Sequence, residues 1–418
     1  MEITVYPQNC ISLPPIAKII WLAALLLGFA ASSMAQSGSY INTAQYTLPA
    51  SDDPYGIVMG PDGAFWYTEP NGNRIGRITA AGGVTEYQVP TAGSSPWGIA
   101  VGPDGAMWFT EGTGNKIGRI NTSGKISEYQ IPTSFSSPAG IAAGPDGAMW
   151  FAENNEYQIG RIDMRGAVTE YVVPGGPYPF QIAAGPDGAM WFTAFTYGVQ
   201  VIGRITASGE VTRYSLPNPS SDSNPEGIAA GPDGALWFTE NGANRIGRIS
   251  LQGDLTEYDL PTKSFPTSIA AGTDGAVWFT GYYQVGRITT TGTITVYSTR
   301  IGHFIRGIAP GSFGLWFTGV YPSQIGHVPA CGLGLSGNLA DNSVTLNFDL
   351  GIDAPAIFRL EVRGAVTTKP IPPVVPPHAF SIEWGPIGSA SRATVESSLS
   401  DPSGEVSCEE WTTVSTGQ

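Results

Sequence analysis

The sequence predicts an all-β fold built from seven similar units. The stretch GIAAGPDGAMWF at residues 140–151 has close copies upstream and downstream. The tryptophans of the copies stand 42, 42, 41, 46, 41 and 38 residues apart, at Trp66, Trp108, Trp150, Trp191, Trp237, Trp278 and Trp316. This spacing is near the roughly 40 to 45 residues of a four-stranded propeller blade, and the repeats lack the apolar period of a helix. We therefore predict a seven-bladed β-propeller over residues 36–330 rather than a helical solenoid.

Each unit divides into four short strands, as the second unit shows. Residues 98–101, 107–110, 116–120 and 126–131 are the predicted strands, and Pro132 ends the last of them. The turn GPDG at 102–105 joins the first two, because proline fixes φ at its second position and glycine tolerates a positive φ. The aspartates of these turns lack the further carboxylates of a calcium loop.

The two ends of the repeat region complement each other. Residues 40–49 (YINTAQYTLP) match the fourth strand of a unit, whereas the seventh unit ends after its third strand at 323–329. We expect the N-terminal strand to complete the seventh blade and so remove the open sheet edges. Six units carry an Arg in the motif IGRI, and four of the following strands carry a Glu. We expect these to form cross-strand pairs, with His327 and Gln45 replacing them in the seventh blade.

The flanking segments predict export and a second domain. Residues 1–35 have the features of a signal peptide, since Lys18 precedes an apolar run at 19–31 that is short for a bilayer span; an uncleaved anchor is the alternative. Residues 331–418 contain five alternating segments, which predict a small immunoglobulin-like or fibronectin type III-like β-sandwich. Cys331 and Cys408 bracket this domain and are expected to form a disulfide in an exported protein; two free thiols are the alternative.

Charge and composition restrict the partners. The formal net charge is −14 and the pI is about 4.6, so the chain lacks the basic face that phosphate binding needs. We predict a secreted, periplasmic or envelope protein, a monomer with no nucleic-acid partner and no membrane span after signal cleavage.

Two sets of variable residues are expected at the end of the propeller opposite the GPDG turns. The first set, here called the axial ring, begins the first strand of each unit: Tyr55, Trp97, Ala139, Phe180, Glu226, Thr267 and Arg306. The second set, the glutamate ring, ends the second strand: Glu69, Glu111, Glu153, Ala194, Glu240, Gly281 and Gly319. Variation on a constant scaffold is typical of a binding surface. The alternative is that the glutamates cap local backbone groups.

The repeat GIAAGPDGAxWFTE, NxIGRI and TEYxxP resembles the streptogramin B lyase, or virginiamycin B lyase, family over residues 40–329. The resemblance implies a magnesium-dependent elimination that opens a cyclic depsipeptide at its ester bond. It also implies histidines in PHxI segments opening the sixth and seventh repeats, with a metal-linked glutamate after the seventh WF. Here Thr267 and Arg306 stand at the histidine positions, and Thr318, Gly319 and Val320 follow the seventh WF. No catalytic residue is carried over.

Two functions therefore remain open. The first is a binding module for a small molecule, glycan or peptide, with Tyr55, Trp97, Phe180, Glu226, Thr267 and Arg306 as ligand contacts and no required cofactor. The second is a lyase or hydrolase that uses Mg²⁺ or Ca²⁺ held by Glu69, Glu111, Glu153 or Glu240. A purely structural role in the envelope is a third possibility.

Overall fold

The structure is a computed structural model that describes residues 44–49, 53–196, 198–217, 223–299, 304–311 and 314–328 with their side chains. For Ile3–Pro7, Ser39–Tyr40 and the strands beyond residue 328, it describes the backbone alone. No residue in these segments is helical, and none belongs to a helix able to cross a membrane. The chain forms two compact units, of which Tyr40–Val328 is one and Met1–Ser39 with Pro329–Gln418 the other.

The unit Tyr40–Val328 is a propeller of seven antiparallel blades with four strands each, and the sheet of blade 6 has a short fifth strand, Ser39–Tyr40, beside Ile294–Ser298. Blade 1 is formed by Ile57–Met59, Phe65–Glu69, Arg74–Ile78 and Val84–Gln88. Blade 2 is formed by Pro96–Val101, Met107–Glu111, Lys116–Ile120 and Ile126–Gln130. Blade 3 is formed by Pro138–Ala143, Met149–Glu153, Gln158–Ile162 and Val168–Val172. Blade 4 is formed by Tyr178–Ala184, Met190–Thr196, Val199–Ile205 and Val211–Ser215. Blade 5 is formed by Pro225–Ala230, Leu236–Glu240, Arg245–Ile249 and Leu255–Asp259. Blade 6 is formed by Ile269–Ala271, Val277–Gly281, Gln284–Ile288 and Ile294–Ser298. Blade 7 is formed by Phe304–Gly311, Gly314–Val320, Gln324–Pro329 and Ala44–Thr47.

The N-terminal strand closes the ring, as the sequence predicted. Ala44–Thr47 pairs antiparallel with Gln324–Pro329, and Gln45 stands opposite Gly326. Tyr46 stacks on Trp316 with ring centroids 5.5 Å apart, and each other blade stacks a fourth-strand tyrosine on its tryptophan in the same way. The first strand of blade 7 lies beside that of blade 1. The axial strands therefore form a closed circle.

The apolar core lies between blades rather than within them. Trp108 of blade 2 packs with Met149 and Phe151 of blade 3 in one buried cluster, and similar clusters join the other neighbours. Trp108 and Phe151 have no exposed surface. Each blade thus supplies one face to each neighbour, which is why a single unit cannot bury its apolar residues alone.

The predicted Arg–Glu cross-strand pairs are wrong. Arg77 stands opposite Thr85, one position from Glu86, and successive side chains of a strand point to opposite faces. The Arg77 guanidinium instead bonds Asp62 of the GPDG turn at 2.8 Å and lies 5.7 Å above the Trp66 ring. The equivalent ion pairs, 2.6 to 2.7 Å long, are Arg119–Asp104, Arg161–Asp146, Arg204–Asp187, Arg248–Asp233 and Arg287–Asp274.

The turn aspartate is the centre of this arrangement. Asp62 Oδ1 accepts a hydrogen bond from Trp66 Nε1 at 3.1 Å and from the backbone N–H of Ala64 at 3.4 Å. Although burial opposes the change, the hydrogen bonds from Trp66 and Arg77 lower the pKa of Asp62. The Asp of GPDG therefore orders the turn, as expected, and also orients the core tryptophan.

The second unit consists of two antiparallel sheets. One has the strand order Ile3–Pro7, Val406–Ser415, Arg392–Ser400, Ala356–Val362 and Ala365–Pro370; the other is Ser336–Ala340, Ser343–Asp349 and Ala379–Trp384. The five segments predicted within residues 331–418 correspond to the strands Ser343–Asp349, Ala356–Val362, Ala379–Trp384, Arg392–Ser400 and Val406–Ser415. The sandwich and the Cys331–Cys408 disulfide remain predictions, because Cys331 lies outside the described residues. Residues 8–38, which hold most of the expected leader, also lie outside them.

Candidate functional site

The axial ring surrounds a cavity at the centre of the propeller. The cavity has a volume of about 170 Å³ and is lined by the first strands of all seven blades. Tyr55, Phe180, Thr267 and Arg306 contribute directly to its wall. These four side chains are half-buried, as are Trp97 and Glu226, whereas Ala139 is buried. The structure thus brings the six predicted contact residues to one place.

Local backbone irregularity directs the axial residues toward the cavity. In blades 2, 3, 4, 5 and 7 the pairing of the first two strands shifts register next to the axial residue, as between Pro96 and Ile99. A bulge of this kind changes the direction in which a side chain points. Gly98 follows Trp97, and a Cβ there would stand 2.5 Å from the carbonyl oxygen of Ala139 in the next blade. At Gly98 the first strands of blades 2 and 3 therefore approach too closely for any larger residue.

A circle of threonines fixes the axial ring from behind. Thr110 Oγ1 accepts a hydrogen bond from the backbone N–H of Gly98 at 2.9 Å and donates one to the carbonyl of Ala139 at 2.6 Å. The same link to the next blade is made by Thr68, Thr193, Thr239, Thr280 and Thr318. Thr318 bonds the carbonyl of Tyr55 at 2.7 Å, so the circle joins blade 7 to blade 1. Blade 3 has Ala152 at this position, and Asn154 Nδ2 donates to the carbonyl of Pro179 instead.

Three aromatic side chains form one wall of the cavity mouth. The rings of Tyr55 and Trp97 lie 4.7 Å apart, and Phe180 meets Trp97 edge-on at 6.4 Å. Offset and edge-on contacts at these distances are favourable for aromatic rings. Because the three residues come from blades 1, 2 and 4, their contact results from the closed ring and not from local sequence.

Opposite charges stand beside this wall. The Arg306 guanidinium lies 5.7 Å above the Tyr55 ring and 5.4 Å above that of Phe304. Burial raises the pKa of Glu226 to about 7, although the Arg306 charge acts in the opposite direction. Burial also raises the pKa of Tyr55, and Glu226 adds to the effect. The mouth therefore offers a fixed cation, a carboxyl group that titrates near neutrality and a neutral phenol.

The Thr267 hydroxyl is largely engaged by the protein. Its Oγ1 donates to the carbonyl oxygen of Ile305 at 2.9 Å and lies 3.1 Å from Thr280 Oγ1. Thr267 thus lines the cavity but has little hydrogen-bonding capacity left for a ligand.

The sequence analysis missed an exposed group of aromatic residues next to the mouth, here called the aromatic belt. It comprises Phe265, Tyr282, Tyr283, Phe304 and Tyr321 of blades 6 and 7. Phe304 connects the belt to Arg306 and packs against Tyr282 at 4.1 Å. The sequence signal was present, because GYY and GVY follow the WFT segments of these two blades.

The glutamate ring does not share the mouth, which corrects the expectation that both rings line one surface. Glu69, Glu111, Glu153 and Glu240 have no exposed surface. Each faces a second glutamate of its own blade, namely Glu86, Glu128, Glu170 and Glu257. Burial, followed by this neighbouring charge, raises the pKa of Glu69 and Glu153 to about 8 and of Glu111 and Glu240 to about 7. The four side chains are therefore separated from one another and from the cavity.

The residues at the mouth do not fit the magnesium ion that the family resemblance implies. Arg306 places a positive charge where a metal-binding or catalytic histidine is expected, Thr267 is engaged by backbone oxygens, and Gly319 has no side chain. Among the residues described with side chains, no three His, Cys, Asp or Glu form a group suited to a metal. His303 and His378 lie outside the described residues.

Comparisons with known proteins match the propeller to one family. The model of the virginiamycin B lyase family matches residues 30–221 and 176–333. Virginiamycin B lyase from Staphylococcus aureus is 38% identical, with 69% of this chain and 99% of that one covered and a TM-score of 0.65. A catalytically inactive histidine-to-alanine form of that enzyme with quinupristin is 39% identical (68% and 98% covered, TM-score 0.65).

A streptogramin B lyase structure is 36% identical, with 70% of this chain and 98% of that one covered and a TM-score of 0.65. None of the curated proteins matches the chain. The C-terminal strands beyond residue 333 lie outside the family match. By its repeats, its seven closed blades and this match across most of its length, the chain belongs to the virginiamycin B lyase family.

Proposed function

We propose that this protein is an exported recognition module that binds a peptide or glycan at the mouth of its propeller without cleaving it. The observation that carries the proposal is the convergence of Tyr55, Trp97 and Phe180 from three separate blades into one half-buried aromatic wall. Aromatic side chains that remain accessible at the mouth of a cavity are typical ligand contacts.

Charge and shape at the mouth support a ligand with both apolar and polar parts. Arg306 provides a guanidinium for a carboxylate or carbonyl group, and Glu226 provides an acceptor or a donor depending on pH. The aromatic belt extends the apolar surface outward from Phe304 over blades 6 and 7. A ligand larger than the cavity would therefore find contacts on the belt as well.

Export is part of the proposal and rests on the leader-like segment 1–35. Ile3–Pro7 is the end strand of its sheet, beside Val406–Ser415. Cleavage after Ala35 would remove this edge strand and leave the order of the other four strands unchanged.

The second candidate is a lyase that opens a cyclic depsipeptide, and family membership favours it. The relatives named above include a virginiamycin B lyase structure with quinupristin, so this compound is a suitable probe. Elimination needs a base near the Cα proton and stabilisation of the developing negative charge. At the mouth Arg306 is the described group suited to the second task, and Glu226 is the described candidate for the first.

One experiment separates the candidates. Quinupristin is added to the purified protein, binding is measured by calorimetry, and the mixture is analysed by mass spectrometry for the linear product. We expect binding without product, and a loss of affinity of about tenfold or more for Trp97→Ala, as for a buried aromatic contact. Glu111→Gln, buried away from the mouth, is the matched control and should bind like the wild type.

Each other outcome is informative. A linear product that disappears in Glu226→Gln would establish the lyase. If no member of a panel of cyclic peptides and oligosaccharides binds in a manner sensitive to Trp97→Ala, the mouth is not a recognition site and a structural role is left.

A further inference from the structure

Four blades contain a buried pair of carboxyl groups, here called a carboxylate pair. The members are Glu69 and Glu86, Glu111 and Glu128, Glu153 and Glu170, and Glu240 and Glu257. In each pair the first glutamate ends the second strand and the other belongs to the fourth strand. A glycine of the third strand lies between them. In blade 3 a Cβ on Gly160 would collide first with the Phe151 ring and would also stand 2.7 Å from Glu153 Oε1, so the glycine leaves room for both side chains.

Three of the four pairs contain a cationic side chain from the first residue of the third strand. Arg74 Nε lies 3.3 Å from Glu69 Oε2 and 3.4 Å from Glu86 Oε2. Lys116 Nζ lies 3.0 Å from Glu128 Oε2, and Arg245 Nη1 lies 3.2 Å from Glu257 Oε2. Burying two carboxylates together is costly unless a positive charge accompanies them. In these three blades a lysine or arginine side chain of the protein provides the positive charge.

Blade 3 is the exception, because Gln158 occupies the position of the cation. Glu153, like Glu111 and Glu240, has no exposed surface and no hydrogen-bond partner for its carboxylate oxygens among the described residues, but only in blade 3 is no cationic side chain paired with the second glutamate. The Oε1 atom of Gln158 is likewise buried and without a partner there. Glu170 accepts hydrogen bonds from the backbone N–H and hydroxyl of Thr133 at 2.9 and 3.0 Å. Glu156 adds a further negative charge nearby.

The hydroxyl of Ser136 completes an all-oxygen environment. It lies beside Glu153 but donates its proton to Asn115 Oδ1 at 2.9 Å. A hydroxyl oxygen that donates its one proton keeps two lone pairs, which can bind a cation. The carboxylate oxygens of Glu153, the amide oxygen of its cross-strand neighbour Gln158 and the hydroxyl oxygen of Ser136 are the ligand types that hard divalent cations prefer.

We propose that the carboxylate pair of blade 3, Glu153 and Glu170, binds a Ca²⁺ ion together with the side-chain oxygens of Gln158 and Ser136. The ion takes the place that Lys116 holds in blade 2. Calcium fits better than magnesium because it accepts carboxylate and amide oxygens in irregular geometry, whereas Mg²⁺ demands a regular octahedron and keeps its waters. The site is distinct from the mouth and stabilises the junction between blades 2 and 3.

The experiment uses the full-length chain freed of metal with a chelator and held at pH 8. Calcium is added, and binding is measured by calorimetry and by thermal unfolding. We expect one site, and an unfolding temperature about 5 °C or more higher at a hundredfold excess over Kd. Magnesium at the same concentration should give a smaller shift.

Two reciprocal variants make the test specific. Gln158→Lys copies blade 2 and should abolish the response to calcium. In the absence of calcium, this variant should unfold near the temperature of the calcium-loaded wild type. Lys116→Gln copies blade 3 and should raise the stoichiometry from one ion to two. Glu153→Gln should remove the wild-type site.

The alternative occupant is a proton shared between Glu153 and Glu170. A wild-type protein whose unfolding does not respond to calcium at pH 8 overturns the proposal in favour of that proton. A calcium response that persists unchanged in Gln158→Lys overturns it too, because the ion would then bind elsewhere.

Discussion

The axial ring and the glutamate ring vary in the same way in the sequence, but the structure gives them opposite environments. The axial residues Tyr55, Phe180 and Arg306 are half-buried and line a cavity. Glu111 and Glu240 have no exposed surface and lie among the side chains of their own blades. Variation within a repeat therefore does not by itself identify a binding surface. Residues also vary between repeats where the blades differ in the buried charged side chains that they contain.

The difference follows from which strand carries the residue. The first strands line the axis and lack a neighbour on that side, so a bulge there directs a side chain into the cavity. The second strands have a hydrogen-bonded strand on both sides and a blade packed on each face. A side chain at the end of the second strand is therefore covered even though it lies at the same end of the blade.

The arrangement of the axial ring depends on closure of the propeller by the N-terminal strand. The variant Tyr46→Ala tests this dependence, and its expected loss of stability is the largest of the predictions. Tyr46 stacks on Trp316 and lies against Gly82 of blade 1, where an added Cβ would stand 2.6 Å from its ring. Because Tyr46 is only partly buried, we expect a loss of about 2.5 kcal/mol, less than for an aromatic residue truncated in a core, measured by denaturant unfolding. Tyr129→Ala in blade 2 is the control, because Tyr129 makes the same stack on Trp108 without closing the ring.

The two variants should differ in their effect on the mouth. Tyr46→Ala loosens the contact between blade 7 and blade 1, so Arg306 and Tyr55 should separate and ligand binding should weaken. Tyr129→Ala should leave binding unchanged. Equal effects on binding would show that the axial ring does not depend on the N-terminal strand.

The buried glutamates of the glutamate ring should make the stability of the protein depend on pH, and the variant Glu240→Gln tests this. Burial, followed by the charge of Glu257, raises the pKa of Glu240 from 4.5 to about 7. The folded state then holds a proton that the unfolded chain releases, so stability falls as pH rises from about 4.5 to about 7. Glu240→Gln removes the contribution of this one residue to the slope, which Glu69, Glu111, Glu153 and Glu226 share, and should stabilise the protein at pH 8 by on the order of 2 kcal/mol.

Thermal unfolding between pH 4.5 and 8 measures the effect. Glu210→Gln is the control, because Glu210 is exposed. If Glu240→Gln and the wild type lose stability equally between pH 4.5 and 8, then Arg245, 3.2 Å from Glu257 Oε2, already compensates the pair.

The sequence predicted most of the fold because repetition supplies the same information seven times. The strands of blade 2 differ from prediction by at most two residues at an end, and the closure by residues 44–47 followed from a missing fourth strand. The pairing of Arg77 was predicted wrongly because a shift of one position reverses the face. The aromatic belt was missed because it joins blades 6 and 7 through contacts such as Tyr282 with Phe304, which no single repeat contains.

The threonine circle gives the smallest expected effect and connects the two rings directly. Thr110 precedes Glu111 in the chain, yet its hydroxyl positions Trp97 and Ala139 of the axial ring through Gly98 N–H and the Ala139 carbonyl. Thr110→Val keeps the shape and leaves both groups unpaired, so we expect a loss of about 1.5 kcal/mol in unfolding. Exposed Thr212→Val should cost little. Because blade 3 already has Ala152 there, with Asn154 bonding the neighbouring carbonyl, Ala152→Thr should change stability less than Thr110→Val. A larger effect at residue 152 would show that the hydroxyl acts through packing and not through its hydrogen bonds.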